Sequence, residues 1–441
     1  MPRLIFLLVV FASRVPLLGG GFGSDGDSWR NAVAALRMRE AGHYVASRPP
    51  GFPVFESLLV PLVPWGWVAT NALAALAGVA AAAVFLRICR ESRIPSPYWL
   101  TFAFAFGGVL WVYATQTMDY ALGLALLLGT YHGLRNRRYF LAGLLLALAA
   151  GCRLTTATLV VPALAMLLVS RAGWRAIASF LTSYVLATAA VYVPVILYYR
   201  AVGSIHGFLW HASRTHVTLH SLPSLLRLDA VFLFGKLGSL MLVLALAGRL
   251  LFALYPPLRA WGRARMQFRL PAPGIVFEAG VVLVVATLYL MAPYEAAYLI
   301  PLLPFALLLV GRLLTRPVLA VAALLIASEV LVVPMFDKRG WAPGRLQLEI
   351  DQRREGLRVA RALEARRPAE PTVFVVGRVA VFQLHVLAPS LERDERAWRA
   401  GMEPGVALWS PDRRRGYAAL LGPSDRQALE DQGYRVEVLR E

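Results

Sequence analysis

The sequence predicts an all-α polytopic membrane bundle followed by a small α/β domain outside the membrane, and three observations carry that reading. Apolar runs of bilayer-spanning length recur from the N-terminus to about Pro334. Basic residues collect in the short gaps between those runs. Past Pro334 the composition changes, and residues 336–441 hold 19 basic and 16 acidic residues. Hydrophobic residues make up 58% of the chain and charged residues 16%, where soluble domains carry about a quarter.

Crossing the hydrocarbon core takes roughly 20 apolar residues. In lipid every backbone polar group must be paired within its own segment, so the runs are helices. About eleven are predicted, near 3–18, 66–88, 97–114, 119–135, 139–151, 154–170, 176–199, 231–253, 275–292, 296–313 and 317–335. The first has no clean small-x-small cleavage site after it and reads as a retained helix rather than a signal peptide. Basic gaps follow at Arg87-Arg90-Arg93, Arg135-Arg137-Arg138, Arg171-Arg175, Arg259-Arg263-Arg265-Arg269 and Arg312-Arg316. With a cytoplasmic N-terminus all five fall on the cytoplasmic side, as the positive-inside rule requires. Loops 19–65, 200–230 and 292–296 and the C-terminal domain are then extracytoplasmic. The net charge of +19 is therefore a topology signal suited to anionic lipid head groups, not a nucleic-acid footprint. The two cysteines, Cys89 and Cys152, fall near opposite membrane faces and are not expected to pair.

Two modules follow, a membrane module over 1–335 and a domain over 336–441. The outer loop 19–65 has structure of its own. Ser28 to Ala41 reads as an amphipathic helix, with Trp29, Val33 and Leu36 on the face expected to lie in lipid. Ser28 or Asp27 is placed to cap its start, and Gly42 ends it. Arg48-Pro49-Pro50-Gly51-Phe52-Pro53 makes a stiff turn. In the C-terminal domain Arg353–Arg366 reads as a helix, 372–376 as a buried strand, 406–409 as a weaker one and 434–439 as an edge strand.

Acidic residues are scarce before Val333 and most fall at the outer face. Gly23-Ser24-Asp25-Gly26-Asp27-Ser28-Trp29 puts two carboxylates two residues apart, between a membrane helix and an interfacial one. Such a pair caps a helix, holds a divalent cation such as Mg or Mn, or supplies a general base. Asp119, at the outer start of a helix, is a second acid; it either complements the helix dipole or orients groups around Asp27. Glu56, after the proline turn, and Glu295, in a late outer loop, face an acceptor or pair with outer arginines. Arg153 sits at an outer helix junction, where an arginine either snorkels or is used. The 200–230 loop carries His206, His211, His216 and His220 with Arg214; its spacing does not make a zinc site, and His211 and Arg214 suit lipid phosphate.

The stretch D-G-D-S-W-R-N-A-V-A-A-L-R-M-R-E-A-G-H-Y followed by S-R-P-P-G-F-P-V-F-E resembles the first outer loop of the GT-C glycosyltransferases, which include protein O-mannosyltransferases and lipid A aminoarabinose transferases. Residues 135–156 and 293–305 resemble the paired central helices and a late outer loop of the same enzymes. The likeness spans the membrane module and is most specific in the first 90 residues. Two positions depart from it: Ser28 stands where many members have an acid, which weakens a case for metal, and Ala296-Ala297 stands where a basic residue often precedes the tyrosine.

The resemblance implies a membrane glycosyltransferase that takes a sugar from a polyprenyl-phosphate donor to a hydroxyl on protein, lipid or glycan. Asp27 would be the base and Asp25 its neighbour. Arg153, His211 and Arg214 would lie at the lipid phosphate. Inversion, and residence in a bacterial inner membrane, are further expectations. Two other classes stay open. A transporter or flippase would show paired broken helices or inverted repeats near the midplane. A GT-C-like scaffold without catalysis would lack the paired aspartates.

Overall fold

The computed structural model describes residues 3–203, 233–234, 236–254, 272–291, 296–331, 335–337, 340–342, 345–388, 390–393, 405–418 and 420–439. His211, Arg214 and Glu295 lie outside these residues, as does most of the 200–230 loop.

Helix occupies each of the eleven apolar stretches, but several are broken. The first is α1 (Arg3–Ala12) and α2 (Val15–Leu18). After it come α3 (Gly26–Ala41), α4 (Pro53–Leu59) and α5 (Gly66–Glu91). The 97–114 stretch divides at Phe106-Gly107 into α6 (Pro97–Ala105) and α7 (Gly108–Tyr113). Then follow α8 (Tyr120–Arg135), α9 (Tyr139–Cys152), α10 (Val160–Val169, entered through a 3-10 turn at Leu154–Leu159) and α11 (Trp174–Ala201). The rest of the bundle is α12 (Lys236–Leu254), α13 (Pro273–Met291), α14 (Leu303–Gly311) and α15 (Arg316–Leu331). Among the described residues three helical segments are long and apolar enough to cross a bilayer alone: Val63–Glu91, Trp174–Ala201 and Pro273–Met291. The outward faces of α11 (Val185, Leu186, Val193, Ile196, Leu197) and α12 (Leu240, Val243, Leu244) are exposed and apolar. Such a surface is stable against lipid tails and not against water.

The 87–93, 135–138 and 312–316 gaps gather at one end. Arg135 donates to Ser92 Oγ at 2.5 Å, and Arg316 to the carbonyl of Pro95 at 2.9 Å. Arg312 pairs with the buried Glu278 near the start of α13. Three helices close there in the same way. Arg93, Arg137 and Arg171 take φ of 53°, 58° and 53°, and the next residue's N–H reaches back to Cys89, Gly133 and Leu167 respectively. That is the Schellman closure, with arginine where glycine is usual.

The C-terminal domain opens with the ribbon β1 (Met335–Asp337) and β2 (Gly340–Ala342) and the helix α16 (Arg345–Ala365). Next come β3 (Thr372–Val375), α17 (Arg378–Leu387), β4 (Glu392–Arg393), β5 (Val406–Trp409), β6 (Arg415–Ala418), α18 (Pro423–Asp431) and β7 (Arg435–Val438). The sheet order is β4-β5-β6-β3-β7, with β3 parallel to both β6 and β7. The segment 434–439 is thus an edge strand, as its alternation predicts. Ala360, Leu363 and Leu384 from α16 and α17 cover one face with Phe374, Leu408 and Tyr417. Leu429 and Tyr434 pack on the other face against Val373, Val406 and Trp409.

The helix α3 departs from the expectation of an interfacial helix with its apolar side in lipid. Trp29 and Val33 are buried inside the protein. Phe22, Phe55 and Leu357 share the cluster of Trp29, and α17 packs along the helix. The C-terminal domain, invisible to a local pattern, supplies part of the apolar cover through Leu357, Phe382 and Val386. The cap is also different: Asp25, not Ser28 or Asp27, is the N-cap residue. Gly42 ends the helix in the left-handed conformation (φ 69°).

Candidate active site

Three segments meet at the end opposite the basic gaps: the loop before α3, the proline turn before α4, and the loop between α7 and α8. Asn71 of α5 fixes the first by donating to the carbonyls of Leu18 and Gly21 at 3.1 and 2.8 Å. Gly21 has φ of 81°, and a Cβ there would meet the Trp29 ring at 2.8 Å, so only glycine fits. Gln116 Oε1 accepts from the backbone N–H groups of Ser24 and Asp25 at 3.1 and 3.2 Å. Thr117 N–H donates to the Phe22 carbonyl at 2.8 Å, and Asn31 Nδ2 donates to the Thr117 carbonyl at 3.0 Å. The 18–25 and 113–119 loops are therefore one stitched unit.

Asp25 is spent on structure. Its Oδ1 accepts the Asp27 N–H at 2.9 Å and its Oδ2 accepts the Tyr113 hydroxyl at 3.1 Å. Burial, and then the neighbouring Asp27 charge, push its carboxyl above the usual range. Asp27 is the accessible member of the pair. Its Oδ2 lies 2.8 Å from Arg48 Nε and its Oδ1 3.3 Å from Arg30 Nη1.

Arg48 connects the two acidic positions. Besides Asp27, its Nη1 donates to Asn31 Oδ1 at 2.9 Å and its Nη2 lies 3.6 Å from Asp119 Oδ1. Its guanidinium sits 4.1 Å from the Phe52 ring centroid. Burial alone would pull its pKa down, but the Asp27 and Asp119 charges outweigh that and hold it up. Asp119 is fully buried and pairs through Oδ2 with Arg153 Nη1 at 3.1 Å. Among the described residues no donor reaches hydrogen-bond distance of Asp119 Oδ1. Arg153 sits at the junction after α9, 3.9 Å from the Tyr120 ring and 5.1 Å from the Tyr298 ring. The result is an alternating row, Asp27–Arg48–Asp119–Arg153, with acids and bases in equal number.

Glu56 takes another part. It is buried and accepts the N–H groups of Ser47 and Phe52 at 2.8 and 2.9 Å, and the Tyr44 hydroxyl in a short bond. It holds the 44–56 turn in shape; burial raises its pKa despite those donors.

The aspartate pair does not fit a divalent cation. Asp27 already has a guanidinium on each oxygen, and both Asp25 oxygens accept hydrogen bonds. Among the described residues no three His, Cys, Asp or Glu side chains come together to hold a metal ion.

The structure brings Asp25, Asp27, Asp119 and Arg153 together. Four participants are not in the sequence reading of the site: Arg48, Tyr113, Gln116 and, from the C-terminal domain, Glu349, which accepts from Ser24 Oγ at 2.8 Å. Arg48 had a signal, since a lone arginine opens the Pro-Pro-Gly turn. Glu349 had none, being 325 residues from its partner.

No protein-family profile matches the sequence, and no curated protein does. Two solved structures share the fold. The chain is similar to ArnT from Cupriavidus metallidurans bound to undecaprenyl phosphate, with a TM-score of 0.61 over 97% of this chain and 94% of that one, at 15% identity. It is also similar to the apo state of ArnT from the same organism, with a TM-score of 0.53 over 87% and 84% of the two chains, again at 15% identity. The chain therefore has the fold of these two structures, a helical module with three clear apolar spans among the described residues, joined to a small C-terminal sheet domain.

Proposed function

We propose that this protein is a membrane glycosyltransferase that moves a sugar from a polyprenyl phosphate to a hydroxyl acceptor at the extracytoplasmic face of a bacterial inner membrane. The observation that carries the reading is the Asp27–Arg48–Asp119–Arg153 row at one end of a GT-C-like fold. Support for the donor class comes from the undecaprenyl phosphate bound by the similar ArnT structure.

Asp27 is the base. It is the accessible carboxylate, with its side chain 24% exposed between Arg30 and Arg48. It takes the acceptor's proton as the acceptor oxygen bonds to the anomeric carbon. The bond from that carbon to the phosphate oxygen breaks, and the electron pair leaves on the lipid phosphate. Attack opposite the leaving group inverts the anomeric centre. Arg153, with His211 and Arg214 of the 200–230 loop, holds the departing phosphate, where fixed cations are worth most as charge develops. Asp119, fully buried, holds the Arg48 and Arg153 guanidiniums in place. Asp25 keeps the loop and the helix start in place, and Glu295 lines the acceptor side.

The test is transfer of label from a panel of radiolabelled polyprenyl-phosphate sugars by the purified protein, wild type against Asp27→Asn. The variant is expected to lose about 10²- to 10⁴-fold in rate, the span of general base catalysis, while still binding undecaprenyl phosphate. A wild-type protein that neither transfers label nor binds undecaprenyl phosphate would end the glycosyltransferase reading and favour a transporter or scaffold.

A further inference from the structure

The C-terminal domain sends one side chain into the core of the membrane module. Arg353 of α16 is 1% exposed. Its Nη1 donates to the carbonyls of Leu17 and Thr115, both at 2.9 Å, and its Nη2 to Thr115 Oγ1 at 2.8 Å. Leu17 is in the last turn of α2, where its carbonyl also accepts the Gly20 N–H at 3.3 Å, and Thr115 lies just past the end of α7. One guanidinium thus closes two helix ends that begin the two loops of the site.

Its stem fits because position 20 is glycine: a Cβ there would meet Arg353 Cδ at 2.9 Å. Its Nε lies 3.5 Å from Glu349, one turn earlier on α16, and Glu349 accepts from Ser24 beside Asp25. A second contact joins the domain to the same helix, with the Arg30 guanidinium 4.4 Å from the Phe382 ring of α17.

We propose that Arg353 is a positioning residue of the active site, a clasp through which the C-terminal domain sets the distance between the Asp27 loop and the Asp119 loop. It touches no substrate. It acts by fixing Leu17 against Thr115, and Glu349 by fixing Ser24. The inference rests on the glycosyltransferase reading for its consequence in catalysis, and on contacts alone for the clasp.

The experiment uses the full chain in nanodiscs, as wild type, Arg353→Met, Arg353→Lys and Glu349→Gln. Backbone hydrogen exchange is read on peptides covering 17–29 and 113–120, with the 44–56 turn as internal reference. Arg353→Met is expected to raise exchange about tenfold in both loops and leave the turn unchanged. In transfer kinetics its kcat falls about 100-fold, the scale of a small misplacement at a reacting centre. KM for the donor stays within about twofold, the signature of an interaction that matters in the transition state only. Arg353→Lys, which keeps charge and one donor direction, recovers about tenfold of that loss. Should Arg353→Met fail to fold, Glu349→Gln, which leaves the guanidinium in place, is expected to raise exchange in 17–29 and lower kcat in the same sense.

Unchanged exchange in both loops overturns the clasp. A loss in which KM rises as much as kcat falls, or in which lysine is no better than methionine, overturns the positioning role. A wild type that neither transfers label nor binds undecaprenyl phosphate defeats the glycosyltransferase reading alone, because the exchange measurement still decides the clasp.

Discussion

Asp119 is the group whose loss costs most. It is fully buried between two guanidiniums, Arg153 at 3.1 Å and Arg48 at 3.6 Å. At an effective dielectric near 20, each contact carries about 5 kcal/mol of gross attraction. Most of that repays the desolvation of three charges. Breaking a buried pair by removing one partner costs about 3–5 kcal/mol, because the remaining charge is stranded. Asp119→Asn keeps one hydrogen bond to Arg153, and Arg153 keeps its place over the Tyr120 ring. The expected loss is therefore about 3 kcal/mol, at the lower end of that range. Removing Arg153 as well relieves the stranding. The double variant Asp119→Asn/Arg153→Met should fall short of additivity by about 2 kcal/mol, within the span measured for contacting residues. The assay is reversible denaturant unfolding in mixed micelles followed by helical circular dichroism, as a full double-mutant cycle. Strict additivity would mean that the row is four side chains near one another and not an electrostatic unit.

Three other predictions follow from the same geometry. Glu56→Gln points an amide N–H₂ at donors now accepted by a carboxylate, and should cost about 1–3 kcal/mol, read as a lower melting midpoint with undecaprenyl phosphate binding retained. Gly21→Ala forces a side chain into a left-handed backbone position against Trp29 and should destabilise by about 1–3 kcal/mol; an unshifted melt would show that the loop is looser than drawn. The Asp25 carboxyl is raised above its ordinary 3.8 in the folded state. Native protein then binds more protons than unfolded chain in that window, so stability falls as pH rises through it and levels off above. Asp27→Asn removes the second cause of the shift and should shrink that fall. Equal pH slopes in the two proteins would rule out coupling between the aspartates.

Much of the architecture is legible because bilayer constraints are local. A run of apolar residues declares its own helix, and α8, α9, α11 and α13 begin and end within a few residues of the apolar pattern. The breaks are less legible. The interruption at Phe106-Gly107 falls inside an apolar run, and neighbours crowd the glycine there: a Cβ on Gly107 would meet the Leu233 carbonyl at 3.1 Å and Leu303 at 3.2 Å. The aspartates announced themselves by their spacing, but their division of labour did not. Which of Asp25 and Asp27 caps the helix depends on Tyr113 and Arg48, which arrive from other segments. The lipid-facing expectation for Trp29 failed for the same reason: a hydrophobic face states that it will be covered, not by what.

The three left-handed arginines bear on how the chain settles in its bilayer. Arg93, Arg137 and Arg171 each occupy a backbone conformation that costs an ordinary residue about 1–2 kcal/mol and glycine almost nothing. A protein shaped by folding stability alone would have glycine in all three. Keeping a permanent charge at each strained corner sacrifices rigidity for a sense of direction, since on the expected topology a charged corner is held on the side where the chain is made. Glycine at all three should give a chain that melts later once inserted, yet with a weaker bias in its orientation.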